Sequence, residues 1–248
     1  MTVLSVNLNK VALLRNQRDI DYPSVIQMAE IALKAGAQGI TVHPRPDERH
    51  TRKTDVSELA TLLRNNYPAP VEFNIEGYPT ADFLDLVEAA QPQQVTLVPD
   101  DPDQKTSDHG WNINKDRELL TGVIARIRDK TSARVSVFVD HVPAIAAEAA
   151  SVGADRIELY TGPYFEAFGT DSRQACLDGF RKTAEAARDA GLEVNAGHDL
   201  NLENLGLFLE TIPWVEEVSI GHALTADALL MGMDGAVRAY VDLISKSK

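Results

Sequence analysis

The stretch "HPRPDERH" at residues 43–50 gathers two imidazoles and two guanidiniums, His43, Arg45, Arg49 and His50, with no apolar residue among them. An imidazole moves protons near neutral pH, and a guanidinium fork grips a phosphate or carboxylate. The β-branched run "ITV" just before His43 reads as a strand. Its end therefore delivers a base beside an anion clamp.

The other reactive side chains collect in the same way. Asn7 and Asn9 follow "LSV", Glu158 lies in "RIELYTG", and "VEFNIE" alternates Glu72, Asn74 and Glu76 with apolar residues. Asp140 and His141 close "RVSVFVD", and Asn195 is followed by His198 in "NAGHDL". Of the six histidines, His109 alone falls outside a strand end and reads as an exposed loop residue. The alternation in "VEFNIE" puts Glu72, Asn74 and Glu76 on one face and Phe73 and Ile75 on the other. Two Gly-His pairs, Gly197-His198 and Gly221-His222, each precede a helical start. Glycine lets an anion approach the backbone, and helix N-terminal N–H groups bind it.

The elements that must carry these residues repeat along the chain. Eight short β-rich runs alternate with segments whose apolar residues return every three or four positions, as amphipathic helices require. Three helix exits look alike, "ALKAGAQGITV", "AASVGADRIEL" and "AARDAGLEVNA", each with a glycine before the next strand. Such alternation implies parallel strands with right-handed crossovers. Eight units in 248 residues predict one (β/α)8 TIM barrel, parallel and eight-stranded, spanning 1–248 as a single domain. The open doubly wound sheet is the alternative, but no glycine-rich phosphate loop follows the first strand. The runs after the fourth strand, "PDDPDQKTSDHGWNINKDREL", and after the sixth, "YTGPYFEAFGTDSRQ", read as extended loops, the first as a lid.

Composition narrows the function. The net charge of −13 argues against a broad nucleic-acid or anionic-membrane surface. One cysteine, Cys176, excludes an intrachain disulfide and fits a reducing compartment. No apolar run reaches the length of a membrane span, and the N-terminus lacks a signal-peptide core, so a soluble cytoplasmic protein is expected. Cys176 and Trp214 read as packing residues.

Taken in order, "VNLNKVALLRNQR", "GITVHPRPDERH", "VEFN", "LVPDDPDQKTS", "IELYTG", "VNAGHDL" and "SIGHAL" resemble the pyridoxine 5′-phosphate synthase family of the deoxyxylulose-phosphate-dependent route to vitamin B6. The resemblance covers essentially the whole chain. It implies a (β/α)8 barrel assembled as a homo-octamer. The implied reaction condenses 3-amino-2-oxopropyl phosphate with 1-deoxy-D-xylulose 5-phosphate to pyridoxine 5′-phosphate, phosphate and water, with no cofactor and no metal. It further implies that His43 and Glu72 accept protons and His198 donates one. Arg45, His50 and Thr106 would contact the deoxyxylulose phosphate. Asn7, Arg18, Asp199 through its backbone, Gly221 and His222 would contact the aminooxopropyl phosphate, and Glu158 matches a further glutamate of the pocket. Asn9-Lys10 stands where many members have Asp-His, so the contact of that pair with deoxyxylulose phosphate departs from the common pattern.

The chemistry suits these residues. The amine belongs to a substrate, so an imine forms between the two substrates without an enzyme lysine, and no lysine lies in a strand run. Alternatives from other classes are a non-catalytic phosphate-binding barrel and a barrel isomerase or aldolase acting on a sugar phosphate. A metal-dependent hydrolase would need a paired His-x-His on the first strand, which instead ends Asn-x-Asn.

Overall fold

A computed structural model describes residues 2–67, 71–100, 104 and 107–247. Eight strands, β1 (Val3–Asn7), β2 (Gly39–Val42), β3 (Glu72–Gly77), β4 (Gln94–Leu97), β5 (Arg134–Val139), β6 (Arg156–Tyr160), β7 (Glu193–Gly197) and β8 (Val215–Ile220), close in sequence order into a parallel barrel. The last strand returns to the first, with Val6 opposite Ile220. The expected TIM barrel is what the chain forms.

Ten helices surround the barrel among the described residues: α1 (Asn9–Arg15), α2 (Val25–Lys34), α3 (Lys53–Asn66), α4 (Ala81–Ala90), α5 (Arg117–Lys130), α6 (Ile145–Ser151), α7 (Gly162–Ala167), α8 (Arg173–Asp189), α9 (Leu205–Thr211) and α10 (His222–Lys246). Seven connect consecutive strands and α10 follows the last strand, while α1 and α7 are extra short helices at the carboxyl ends of β1 and β6. The α7 segment corrects the extended loop expected after the sixth strand. Pro163 falls in its first turn, where a missing N–H costs nothing. Tyr164 and Ala167 are buried three residues apart, and the Tyr164 hydroxyl donates to the Asn204 carbonyl at 2.9 Å.

Period-two alternation sorts the strand residues. Val6, Ile40, Phe73, Ile75, Val95, Val137, Ile157 and Val218 are buried in the shell between strands and helices. The inward face is polar. The Ser5 and Thr41 hydroxyls are 2.7 Å apart, and Thr96 donates to Asn74 at 3.1 Å. Asn195 donates to Gln94 at 3.1 Å. Interiors of such barrels are dominated by branched aliphatic residues, so this one departs from the norm. The departure suits a cavity that opens onto polar side chains.

The amino-terminal end of the barrel is closed by ion pairs. Glu72 bonds Arg134 and also accepts from Arg156 at 2.9 Å, while Arg156 donates to Glu193 at 2.5 Å. Gln94 accepts from the same Arg156 at 2.6 Å. Strands β3, β4, β5, β6 and β7 are thereby tied together at their starts. Glu217 lies above this layer, wholly buried, and burial and the Glu158 charge push its carboxyl up to about 7.

Candidate active site

The carboxyl ends of the strands surround a cavity of about 320 Å³. Asn7, Asn9, Lys10, His43, Arg45, His50, Glu158, His198, Asp199, Gly221 and His222 all line it, so most of the residues singled out in the sequence meet in one place. Three do not. Thr106 lies outside the described residues. Arg18 is exposed in the turn that follows α1 and forms no part of the cavity wall.

Glu72 is the third and requires a correction. It is the first residue of β3 and belongs to the ion-paired base of the barrel, at the opposite end from the cavity. The glutamate that reaches the site is Glu76. Both point inward, because residues four apart on a strand share a face. Only position along the strand separates them, and the chemistry of this fold belongs to the carboxyl end. That count was the available signal.

Glu76 and His43 face each other, Oε2 to Nδ1, at 3.9 Å. Burial, together with the Arg45, His50 and Arg49 charges, holds His43 well below the usual imidazole range. Burial and the carboxylates of Glu158, Asp100 and Glu217 push Glu76 well above the usual carboxylate range. Both shifts favour the uncharged forms, the imidazole of His43 and the carboxylic acid of Glu76. Glu158 is raised to about 7, mainly by burial, while a hydrogen bond from Thr96 opposes the shift. Gly197 makes room for it, since a Cβ there would lie 2.2 Å from Glu158 Oε1.

The strand-2 loop is anchored from several sides. The Asn9 side chain accepts from the His43 backbone N–H at 2.8 Å and from the Thr51 hydroxyl at 3.0 Å. Buried Arg15 grips Asp55 with two hydrogen bonds, at 2.5 and 2.8 Å, and with Asn16 it holds the His50 carbonyl. The Thr51 N–H donates to His50 Nδ1 at 2.9 Å, leaving Nε2 to carry the proton of a neutral ring. Burial and the charges of Arg45, Lys10 and Arg49 lower His50 to about 4.

Across the cavity, His198 and Asp199 both adopt left-handed backbone conformations, with φ of 75° and 55°. Such angles are costly for residues with side chains and persist where the surroundings enforce them. Thr161 supplies part of that enforcement by donating to the Gly197 and His198 carbonyls. His198 Nδ1 lies 2.6 Å from Asp199 Oδ2, and this contact holds Asp199 below the usual carboxylate range. Beside them α10 begins at His222, with Gly221 as its N-cap. A Cβ on Gly221 would press on Asn7 at 3.1 Å. The N–H groups at the start of α10 border the cavity, an arrangement suited to an anion.

Among the described residues, no group of three or more His, Cys, Asp and Glu side chains is spaced to hold a metal ion. His141 stacks on Phe180 at 4.3 Å, outside the cavity. His109 is exposed and bonds Asp108. Cys176 is half-buried against the core, and the Trp214 indole donates to the Ala184 carbonyl.

Fold and cavity define a TIM barrel whose strand ends bring buried titratable groups and cationic side chains to one pocket. Residues 4–246 match the family described as pyridoxal phosphate biosynthesis protein PdxJ, and the chain belongs to that family. It is 56% identical over 240 residues to a pyridoxine 5′-phosphate synthase of Mesorhizobium japonicum, covering 96% of each chain. It is 51% identical to one of Brucella anthropi, covering 96% of this chain and 97% of the other. Among solved structures, a phosphoribosylanthranilate isomerase of Thermotoga maritima superposes with a TM-score of 0.60 at 13% identity, over 99% of this chain and 100% of the other. At that identity the likeness is one of fold.

Proposed function

We infer that the chain is a pyridoxine 5′-phosphate synthase, joining 3-amino-2-oxopropyl phosphate to 1-deoxy-D-xylulose 5-phosphate with release of phosphate and water. The observation that carries the site reading is the buried His43–Glu76 pair at 3.9 Å, with Arg45 and His50 lining the same cavity. In this reading His43 takes a proton from the condensing substrates and Glu76 relays it. His198, oriented by Asp199, returns a proton to the departing oxygen. Arg45, His50 and Lys10 receive the deoxyxylulose phosphate. Asn7, Gly221, His222 and the Asp199 backbone receive the other phosphate at the start of α10. Asn9 acts by bracing His43 and Thr51, and Glu158 serves as a second buried proton carrier. Among the described residues no lysine lies in a strand, which accords with an imine formed between the two substrates and disfavours a lysine-type aldolase.

Residues 1–248 act as one cytoplasmic unit in this reading, assembled as a homo-octamer and taking small phosphorylated molecules, without nucleic acid or membrane. No helix among the described residues is long and apolar enough to cross a membrane. Leu229 and Leu230 are 77% and 89% exposed beside the Gly232 kink of α10, an apolar surface of the kind that assembly covers. Incubating the purified protein with both substrates tests the activity. Pyridoxine 5′-phosphate and inorganic phosphate should appear together, and neither should form when one substrate is omitted. Light scattering tests the assembly.

A further inference from the structure

Arg45 is buried in the wall between two cavities. It lines the active site on one side and a second cavity of about 220 Å³ on the other. Asp100, equally buried, lines that second cavity and is absent from the active-site lining. The carboxylate therefore stands behind Arg45 as seen from the substrate.

The contacts around the guanidinium come from different directions. Asp100 Oδ2 accepts from Arg45 Nη2, and the Ser107 hydroxyl donates to the same oxygen at 2.8 Å. Arg45 Nη1 donates to the Gln104 carbonyl at 2.8 Å. A guanidinium is a rigid planar fork of five N–H donors. Two acceptors on separate Nη atoms fix its plane and leave further donors for the cavity that Arg45 lines.

We propose that Asp100 is a positioning residue: it holds the Arg45 fork in the orientation that receives the phosphate of deoxyxylulose phosphate, without touching substrate itself. The proposal rests on the reading of Arg45 as a contact to that phosphate. Two effects of the carboxylate oppose each other. Its charge partly neutralises the arginine and so weakens the pull on an incoming anion. Its hydrogen bond orders a long side chain before binding, so that this ordering is not charged against affinity. Orientation dominates here because the site has other acceptors within the arginine's field. Glu76 is buried in the cavity wall and feels the Arg45 charge. Released from Asp100, the guanidinium would turn toward that carboxyl instead of the substrate.

The test is steady-state kinetics of Asp100→Asn and Asp100→Ala, with an Arg45→Ala protein and an Arg45→Ala/Asp100→Asn double variant. Asp100→Asn should raise KM for deoxyxylulose phosphate about tenfold, and Asp100→Ala more, with KM for the amino ketone phosphate unchanged. In the Arg45→Ala background, removal of the carboxylate should add nothing. A lowered KM would show that neutralisation dominates, and an equal effect with and without Arg45 would show that Asp100 acts elsewhere. Either result overturns the proposal, as does an unchanged KM. Circular dichroism and thermal melts check folding, and Asp100→Asn carries the test if Asp100→Ala does not fold. Calorimetric titration with inorganic phosphate reads the same coupling without turnover. A wild-type protein that makes no pyridoxine phosphate would therefore refute the functional reading alone, while equal phosphate affinities of wild type and Asp100→Asn would refute the positioning role.

Discussion

The His43 imidazole and the Glu76 carboxyl meet at 3.9 Å with both side chains almost wholly buried, and the site pushes their proton affinities in opposite directions. Each shift favours the neutral form, so the resting pair holds its single shared proton on the carboxyl. In the proposed reaction, an imidazolium formed when His43 takes a proton from substrate would draw the Glu76 carboxyl toward ionisation.

Glu76→Gln and Glu72→Gln should separate catalysis from stability. The first keeps the shape of the pocket but cannot relay a proton, and kcat should fall on the order of 10²-fold or more. The second breaks contacts to Arg134 and Arg156 at the base of the barrel, costing about 2 kcal/mol, with kcat nearly unchanged. Thermal melts and turnover on the same preparations decide it. The reverse pattern would return the catalytic role to Glu72.

His43→Ala should lower kcat on the order of 10²–10⁴-fold while the circular dichroism spectrum stays that of wild type. A variant retaining more than about half of the wild-type rate would remove His43 from the mechanism, since losing a general base typically costs on the order of 10²–10⁴-fold.

Lys10 lines the cavity, and its charge bears on both His50 and Asp199. A lysine acts there as a point charge. Lys10→Met should raise KM for deoxyxylulose phosphate with a smaller change in kcat, and the KM effect should shrink as salt screens the charge. Kinetics at low and high ionic strength measure this, and a KM unaffected at both would place the ammonium away from substrate.

Glu217 predicts a pH effect on stability. Its carboxyl is raised from 4.5 to about 7, so the folded protein binds the proton more tightly than the unfolded chain. That contribution is complete below 4.5 and is lost as pH rises through about 7, amounting to about 3 kcal/mol at most. Glu217→Gln removes the titration. The variant should therefore gain on wild type as pH rises from about 4.5 to about 7, and hold that gain above it, in calorimetric melts. A difference independent of pH would mean that Arg156 keeps Glu217 ionised throughout.

The strands were legible because alternation leaves a direct mark, and each of the eight runs in the sequence became one. The short helix α7 was not. Its glycine, proline and aromatic residues look like loop punctuation, and what makes it a helix is the long-range burial of Tyr164 beneath Asn204. His43, His198 and His222 could be placed at strand ends by counting from β-branched runs. Choosing between Glu72 and Glu76 required knowing where β3 begins, and a period of two gives the face but not the end. Asp100 carried no signal, because its partner Arg45 is 55 residues away in sequence and on another loop.

Four positions of extended chain separate Glu72 from Glu76, on the order of 13 Å at the rise of a strand. Substitutions at such a distance, with no shared partner, contribute additively to stability. One strand thus carries two independently adjustable positions. Strengthening the ion pairs around Glu72 would offset the destabilisation that accompanies an altered specificity around Glu76, leaving the reacting groups untouched. In directed evolution of this barrel, rounds that raise robustness and rounds that change chemistry can be run at opposite ends and then combined.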